Sequence, residues 1–548
     1  MPNRERPDAE SVWKEYQKGL GFNIQQGLYS TVRTNESFFI GKQWEGVEAN
    51  GLPTPVFNFL KRVVLFTVAG ITSNNIKLQA SALGNSVDGA GFVTDVINRE
   101  FDALFEQNRI TNLLREYLRN AAVDGDGCTY TYWDPDIDSG HPVGGAVVTE
   151  LIENTRVFFG NTGSRRVQKQ PYIIITSREL LTEVRDRARK NGCSDPAAVT
   201  ADADDRYTGP ENVSEDKVTV LLKLWRNKET GTIWGVETTK SAVVRAPWDL
   251  GLTLYPVTWL NWDPIQDSYH GQAMITGLIP NQIFINKLFA MSMISLMTTA
   301  YPKIVYDKTR VLKWDNRVGA AIPVNGGDVG TVARIIDPAQ ISPQIAQFIE
   351  LAVGYTQSFL GATSVALGDA RLDNTSAIIA LQRAAATPNE LTKQNLFESL
   401  EDLGRIYLDF MAACYGMRRV PADQPEGFAP VAAMADIREG KRISVPFDFG
   451  RVRALSLSVR LDVGASAYWS EIASMQTLDN LLARGKISLA DYLERIPSGY
   501  ITKQQELIDK LKEAQPEKTG TPMAPTDAAG GNGYAALQRA VSNTGLGK

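Results

Sequence analysis

Only two histidines, His141 and His270, occur in the chain, and neither lies near a cysteine in sequence. Zinc fingers, HExxH sites and most histidine-base designs need such residues at short fixed spacings, so all three are excluded. No GxxxxGK[ST] phosphate loop is present: Gly41-Lys42 is followed by Gln43 and lacks the upstream glycine. A GxSxG elbow and a strand-to-helix GxGxxG are also missing. The best cation candidate is Asp134-Pro-Asp136-Ile-Asp138, whose alternating carboxylates imitate the opening of a calcium loop. Ser139 stands where that loop needs glycine and Gly145 where it needs a closing glutamate, so a solvated hairpin tip is expected. A second acidic group, Asp202, Asp204 and Asp205, reads as an exposed loop. The three cysteines, Cys128, Cys193 and Cys414, are far apart and odd in number, which fits a reducing compartment and buried thiols rather than nucleophiles. The chain is therefore expected to be no enzyme and to carry no cofactor or metal.

A sequence of 548 residues with 43 % apolar and 22 % charged residues is a folded multidomain chain. Its formal charge of -5 excludes a global basic excess of the kind that grips nucleic acid by counterion release. Met1–Asp8 is polar and holds prolines without an apolar run, so no signal peptide is expected. The one membrane-like run, Leu288–Tyr301, is too short to span and is interrupted by Ser292, Ser295, Thr298 and Thr299.

The first ~125 residues read as helical, with long segments around Ser11–Phe39 and Pro55–Thr72 and a stripe from Val93 to Ala121. After Gly125-Asp-Gly127 the pattern turns to β: Cys128–Trp133, Ala146–Leu151, Tyr172–Thr176, Val218–Leu224, Ile233–Thr238 and Val257–Leu260, with one helix over Ser177–Lys190. An α+β domain is predicted for this half. Pro280 opens a helix to Tyr301 that is apolar nearly all round and therefore must be covered by something. Strand-and-turn material follows, and Ser342-Pro343 restarts a helix whose seam is Ile345, Phe348, Ala352, Tyr355 and Phe359. Gly361 ends it. A glycine-bearing loop then leads to a long helix broken or kinked at Pro388, and Leu455–Val463 alternates as a strand. Helices return over Glu471–Ala514, and a tail rich in Gly, Ala, Pro and Thr closes the chain.

This order, helices, α+β domain, helix, small insert, helix, glycine loop, kinked helix, strand and terminal helices, resembles the portal protein (head-tail connector) of tailed bacteriophages. The residues that carry the resemblance are Phe39-Ile-Gly41-Lys-Gln43-Trp44, Pro55-Val-Phe-Asn58, Gly125-Asp-Gly127, Gly271-Gln-Ala, Gln282-Ile-Phe-Ile-Asn286 and Asn374-Thr-Ser376-Ala377. It spans about residues 35–500.

The resemblance implies a portal-like multidomain α+β fold. Residues 1–270 would be N-terminal helices and wing, 271–301 the first stem helix, 302–342 a small α/β clip and 343–362 the second stem helix. Residues 363–373 would be the tunnel loop, 374–470 the kinked tunnel helix and the rest of the wing, 471–514 a helical crown and 515–548 a flexible tail. It also implies a homo-oligomeric ring of about twelve copies at a capsid vertex of the virion, assembled in the host cytoplasm with major capsid and scaffolding proteins. Double-stranded DNA would pass through the ring during packaging and ejection. The clip would dock the terminase large subunit and then a head-tail adaptor. Leu288, Met293, Ile345, Phe348, Tyr355 and Phe359 would form the stem interface. Lys303, Lys308, Arg310, Lys313 and Arg317 would line the clip. Ser364, Asp369, Arg371, Asp373 and Asn374 would face the DNA. Other readings are a different capsid-vertex protein such as an adaptor or internal core component, a membrane pore built on Leu288–Tyr301, and a metal-dependent enzyme using Asp124, Asp126, Asp134, Asp136 and Asp138.

Overall fold

A computed structural model describes residues 7–49, 51–72, 76–82, 90–140, 143–193, 195–204, 216–300, 304–315, 317, 319–336, 347–352, 354, 390–422, 443–455, 457–463, 478–479, 481–482, 484 and 486–495. The chain forms two compact units, Met1–Ala465 and Ser466–Lys548. The first mixes helices and antiparallel sheets, as α+β predicts.

The long segment expected from Ser11 to Phe39 is two helices. α1 (Ala9–Gln25) and α2 (Leu28–Ile40) are separated at Gly27, whose φ of 69° is a left-handed value that glycine adopts without steric cost. Asp8 caps α1 by accepting from the Ser11 amide at 2.9 Å. α1 lies on a five-stranded antiparallel sheet ordered β4 (Val157–Phe159), β5 (Tyr172–Leu180), β6 (Lys217–Arg226), β7 (Ile233–Thr238), β8 (Val243–Asp249). Val12, Tyr16 and Leu20 of α1 pack with Phe158, Ile174, Leu221 and Val236, one facing residue from each of four strands. Lys223 and Glu15 pair across that contact at 2.5 Å. A shorter helix, α6 (Leu181–Lys190), begins only where β5 ends, so Ser177–Leu180 is strand rather than the predicted helix.

The larger core is built on a three-stranded sheet, β3 (Ala146–Leu151), β2 (Asp126–Asp134) and β9 (Val257–Asn261). α3 (Phe59–Thr72), α4 (Ala90–Gln107), α5 (Ile110–Asp124) and α8 (Glu390–Phe410) contribute to the same apolar cluster. Buried hydroxyls tie α8 to it: Tyr117 Oη lies 2.6 Å from Ser399 Oγ, and Tyr407 Oη 2.8 Å from Thr149 Oγ1. Residues far apart in sequence close the unit. β1 (Ile76–Ala82) pairs antiparallel with β16 (Leu457–Val463) in the register Ile76 to Val463, and β14 (Met417–Ala422) with β15 (Ile443–Asp448). Short pairs join β10 (Asp263–Pro264) to β11 (Gly271–Gln272) and β12 (Ile304–Tyr306) to β13 (Ala333–Ile335). α7 (Ile279–Ala300) leaves this body between β11 and β12.

In the second unit Ser488 caps α9 (Leu489–Arg495): its Oγ accepts from the Asp491 amide at 3.1 Å, and Asp491 accepts back from the Ser488 amide at 3.2 Å.

Candidate subunit interface

α7 carries one charged side chain, Lys287, in 22 residues, and its first turns are rooted by amides rather than by apolar contact alone. Gln282 and Asn286 stand one turn apart on the same face and are both buried. Gln282 Nε2 donates to the Phe57 carbonyl at 2.8 Å and to Asn286 Oδ1 at 2.9 Å, while its Oε1 faces the Leu60 amide at 3.4 Å. Asn286 Nδ2 donates to Gln43 Oε1 at 2.6 Å, and Gln43 Nε2 donates to the Phe38 carbonyl at 3.0 Å. The Phe57 ring stacks on Phe289 with centroids 4.9 Å apart. Three motifs that are separate in sequence, around Gln43, Phe57 and Gln282–Asn286, thus meet at one point.

Beyond this root the helix is only partly covered. None of the described side chains from Lys287 to Met297 is buried, and Met291, Met293, Leu296 and Met297 are exposed. Leu288 is half-buried and Met293 is 40 % exposed. A run of apolar residues in water is unfavourable by about 25 cal/mol per Å², so this surface calls for a partner. Phe348 and Leu351, in a second helical stretch, are also exposed, Phe348 by 54 %. Ile345, Tyr355 and Phe359 of the predicted seam lie outside the described residues. So do the predicted DNA-facing residues Ser364, Asp369, Arg371, Asp373 and Asn374, and the predicted kink at Pro388.

Between the two apolar stretches, β12 and β13 form a ribbon whose six residues are all exposed. Lys308 and Lys313 are exposed beside it, and Lys303 lies outside the described residues. Arg317 pairs with Asp315 at 2.6 Å and holds that carboxyl below its usual range through the hydrogen bond. Arg310 builds the loop itself. Its Nη2 donates to the carbonyls of Gly326 at 2.6 Å and Asp328 at 3.0 Å, and its Nη1 to Thr331 Oγ1 at 3.2 Å. The resemblance put Arg310 among the cations lining the clip, but did not show that its guanidinium is spent on backbone.

The glycine motifs Gly125-Asp-Gly127 and Gly271-Gln-Ala frame a buried polar centre. Asp126 accepts from Asn261 Nδ2 at 2.7 Å, the Gly271 amide at 2.7 Å and Asn154 Nδ2 at 3.3 Å, and its Oδ2 lies 2.6 Å from His270 Nδ1. The other imidazole nitrogen faces Asn23 Oδ1 at 3.1 Å, which ties α1 to the body. A carboxylate and imidazole in contact could serve a base, but both are buried and the far nitrogen meets an amide oxygen, not a hydroxyl or thiol. Gly125 has a φ of 99°, and a Cβ there would fall 2.5 Å from the Gly271 carbonyl oxygen. Asp124, at the end of α5, has its carboxyl raised to about 7, first by desolvation, against the pull of Arg119.

Asp134 and Asp138 accept from the amides of Asp136 and Gly140, each at 3.0 Å, so this cluster is the turn joining β2 to β3. No group of three or more His, Cys, Asp or Glu is placed to hold a metal among the described residues. Asp202, expected in an exposed loop, is instead in a largely buried ion pair with Arg178 at 2.6 Å. Burial pushes the Cys128 thiol up and raises that of Cys414 to about 11, which disfavours thiolate at either. No helix among the described residues is long and apolar enough to cross a membrane.

Comparison with protein families gives a match to the model described as phage P22-like portal protein over residues 180–421. The matched stretch runs from the end of β5 through α7, the exposed ribbon and α8 to β14. The resemblance to phage portal proteins drawn from the sequence is shown by this match. No curated protein matches the chain.

Proposed function

We propose, from the premise that this chain is a phage portal protein, that it is the subunit of a closed ring surrounding a passage for duplex DNA at the capsid vertex. The observation that carries this reading is α7: an apolar helix fastened at its root, with Met291, Met293, Leu296 and Met297 exposed beyond it. A heterologous contact repeated around a closing rotation covers such a surface on every copy. In this reading α7 and residues 343–362 are the stem, residues 302–342 the clip, residues 363–373 with Arg371 the DNA-facing loop, residues 374–470 the tunnel helix with the rest of the wing, and residues 471–514 the crown. Exposed Lys308 and Lys313 present the charges by which the clip meets the terminase large subunit and later a head-tail adaptor. Arg310 supports that surface by shaping it.

The chain has no motor of its own in this reading, and its net charge of -5 suits a conduit that DNA slides along without being held. Imaging of the purified protein by negative stain, with its mass from light scattering, tests the proposal. Rings with a hole wide enough for duplex DNA are expected; a monomer at every concentration overturns it and favours another capsid-vertex component.

A further inference from the structure

The segment between α2 and α3, described over residues 41–49 and 51–58, is a loop pinned at both ends. Trp44 Nε1 donates to the Pro55 carbonyl at 2.9 Å, Asn58 Nδ2 to the Phe39 carbonyl at 2.9 Å, and Gln43 accepts from Asn286. Such ties leave little conformational entropy to lose on contact, so whatever the loop displays is preorganised for binding. It displays apolar side chains: Val47 and Leu52 are each 54 % exposed, and Val56 is exposed beside them in sequence. It also carries Glu45 and Glu48 against a single cation, Lys42.

On α7, Phe284, Lys287 and Met291 follow one another at three and four residues and share a face. All three are exposed. Neither Lys287 nor Glu48 makes an ion pair among the described residues. The two surfaces match in kind, apolar side chains around an unpaired charge, with opposite signs. The loop meets its own α7 through Gln282, Asn286 and Phe289, and at about 100° per residue Phe284, Lys287 and Met291 lie on the opposite side of that helix, so each copy carries two separate surfaces.

The geometry points to a second copy of this chain as the occupant: the 41–58 loop of one subunit covers the Phe284–Met291 face of its neighbour's α7, with Glu48 meeting Lys287. This pairing rests on the portal reading and adds to it which two elements meet. It also supplies what a ring requires, two different surfaces on each copy that complement one another.

The test co-expresses two full-length variants, Leu52→Cys and Met291→Cys, and treats the purified assembly with a short bis-maleimide. Untreated native thiols are controlled with the unsubstituted chain. A cross-linked species joining one variant to the other is expected, with none from either variant alone. A charge exchange reads the pairing independently. Lys287→Glu should lower the ring fraction about tenfold, because like charges then face each other, and Glu48→Lys in the same chain should restore it. Rings that form normally but give no cross-link between copies and no rescue overturn the pairing and leave the portal reading standing. An unsubstituted chain that never forms rings overturns both.

Discussion

Asn286 of α7 donates to Gln43 in the α2–α3 loop at 2.6 Å, across 243 residues of sequence and inside the body of the protein. The same asparagine accepts from Gln282, which in turn holds the Phe57 carbonyl. An amide network of this kind fixes direction in a way that apolar packing does not, because each donor must find its acceptor or lose about 1–3 kcal/mol. It therefore sets the angle at which α7 departs.

Replacing Asn286 by Ala should strand Gln43 and Gln282 together. A loss of about 1–3 kcal/mol in urea unfolding is expected. Ring assembly should fall as well, since the helix loses its aim. A variant with unchanged stability and normal rings would show that the network merely fills space.

Phe348→Asp should behave in the opposite way. The side chain is 54 % exposed, so the folded body should keep its unfolding midpoint within about 0.5 kcal/mol. Ring assembly, read by light scattering, should be abolished. Normal rings from this variant would remove the second stem helix from the interface.

Asp124 predicts a pH dependence. Its carboxyl is raised from 3.8 to about 7 in the folded protein, so the folded state holds a proton that the unfolded state releases. Stability from this group is fully present below pH 3.8 and falls until pH about 7, above which it changes no further. The drop should be on the order of 2 kcal/mol once partial hydration is allowed for. Asp124→Asn should flatten this part of the curve in urea titrations run between those limits; an unchanged slope would assign the dependence elsewhere.

Two glycines separate backbone need from habit. Gly125→Ala places a Cβ 2.5 Å from a carbonyl oxygen at a φ of 99°, and should cost more than about 2 kcal/mol. Gly21, within α1, has nothing within 4 Å of the added carbon, so Gly21→Ala should stabilise by about 0.5–1 kcal/mol. Thermal unfolding of both variants checks the contrast, and equal effects would refute it.

Patterns that one element carries alone were legible in the sequence. The all-apolar run after Pro280 became α7, and the alternation at Leu455–Val463 became β16 with two residues trimmed. Features that depend on a distant partner were not. β4 is three residues long, and β14 contains two adjacent arginines and a proline, so neither alternates. Gly125-Asp-Gly127 was visible as the point where the pattern turns to β, but the role of Asp126 as a buried acceptor exists only because Asn154, Asn261 and His270 arrive from elsewhere. Rarity was the available signal: His270 is one of two histidines in the chain. Leu288, Met293 and Phe348 of the proposed interface stood out by their lack of polarity, whereas the loop between α2 and α3 was noticed for its motif and not for its exposed apolar side chains.

The pairing of Ile76 with Val463 carries a consequence for the order of events in synthesis. β1 leaves the ribosome long before its mate exists, and α7 with its exposed apolar side chains emerges in the interval. A sticky rod is thus on display while the clasp of its own body is still open, the circumstance in which nascent chains tangle. Under the proposed pairing, self-recognition that relies on a shaped loop as well as on grease would let a subunit wait until it is finished before joining others.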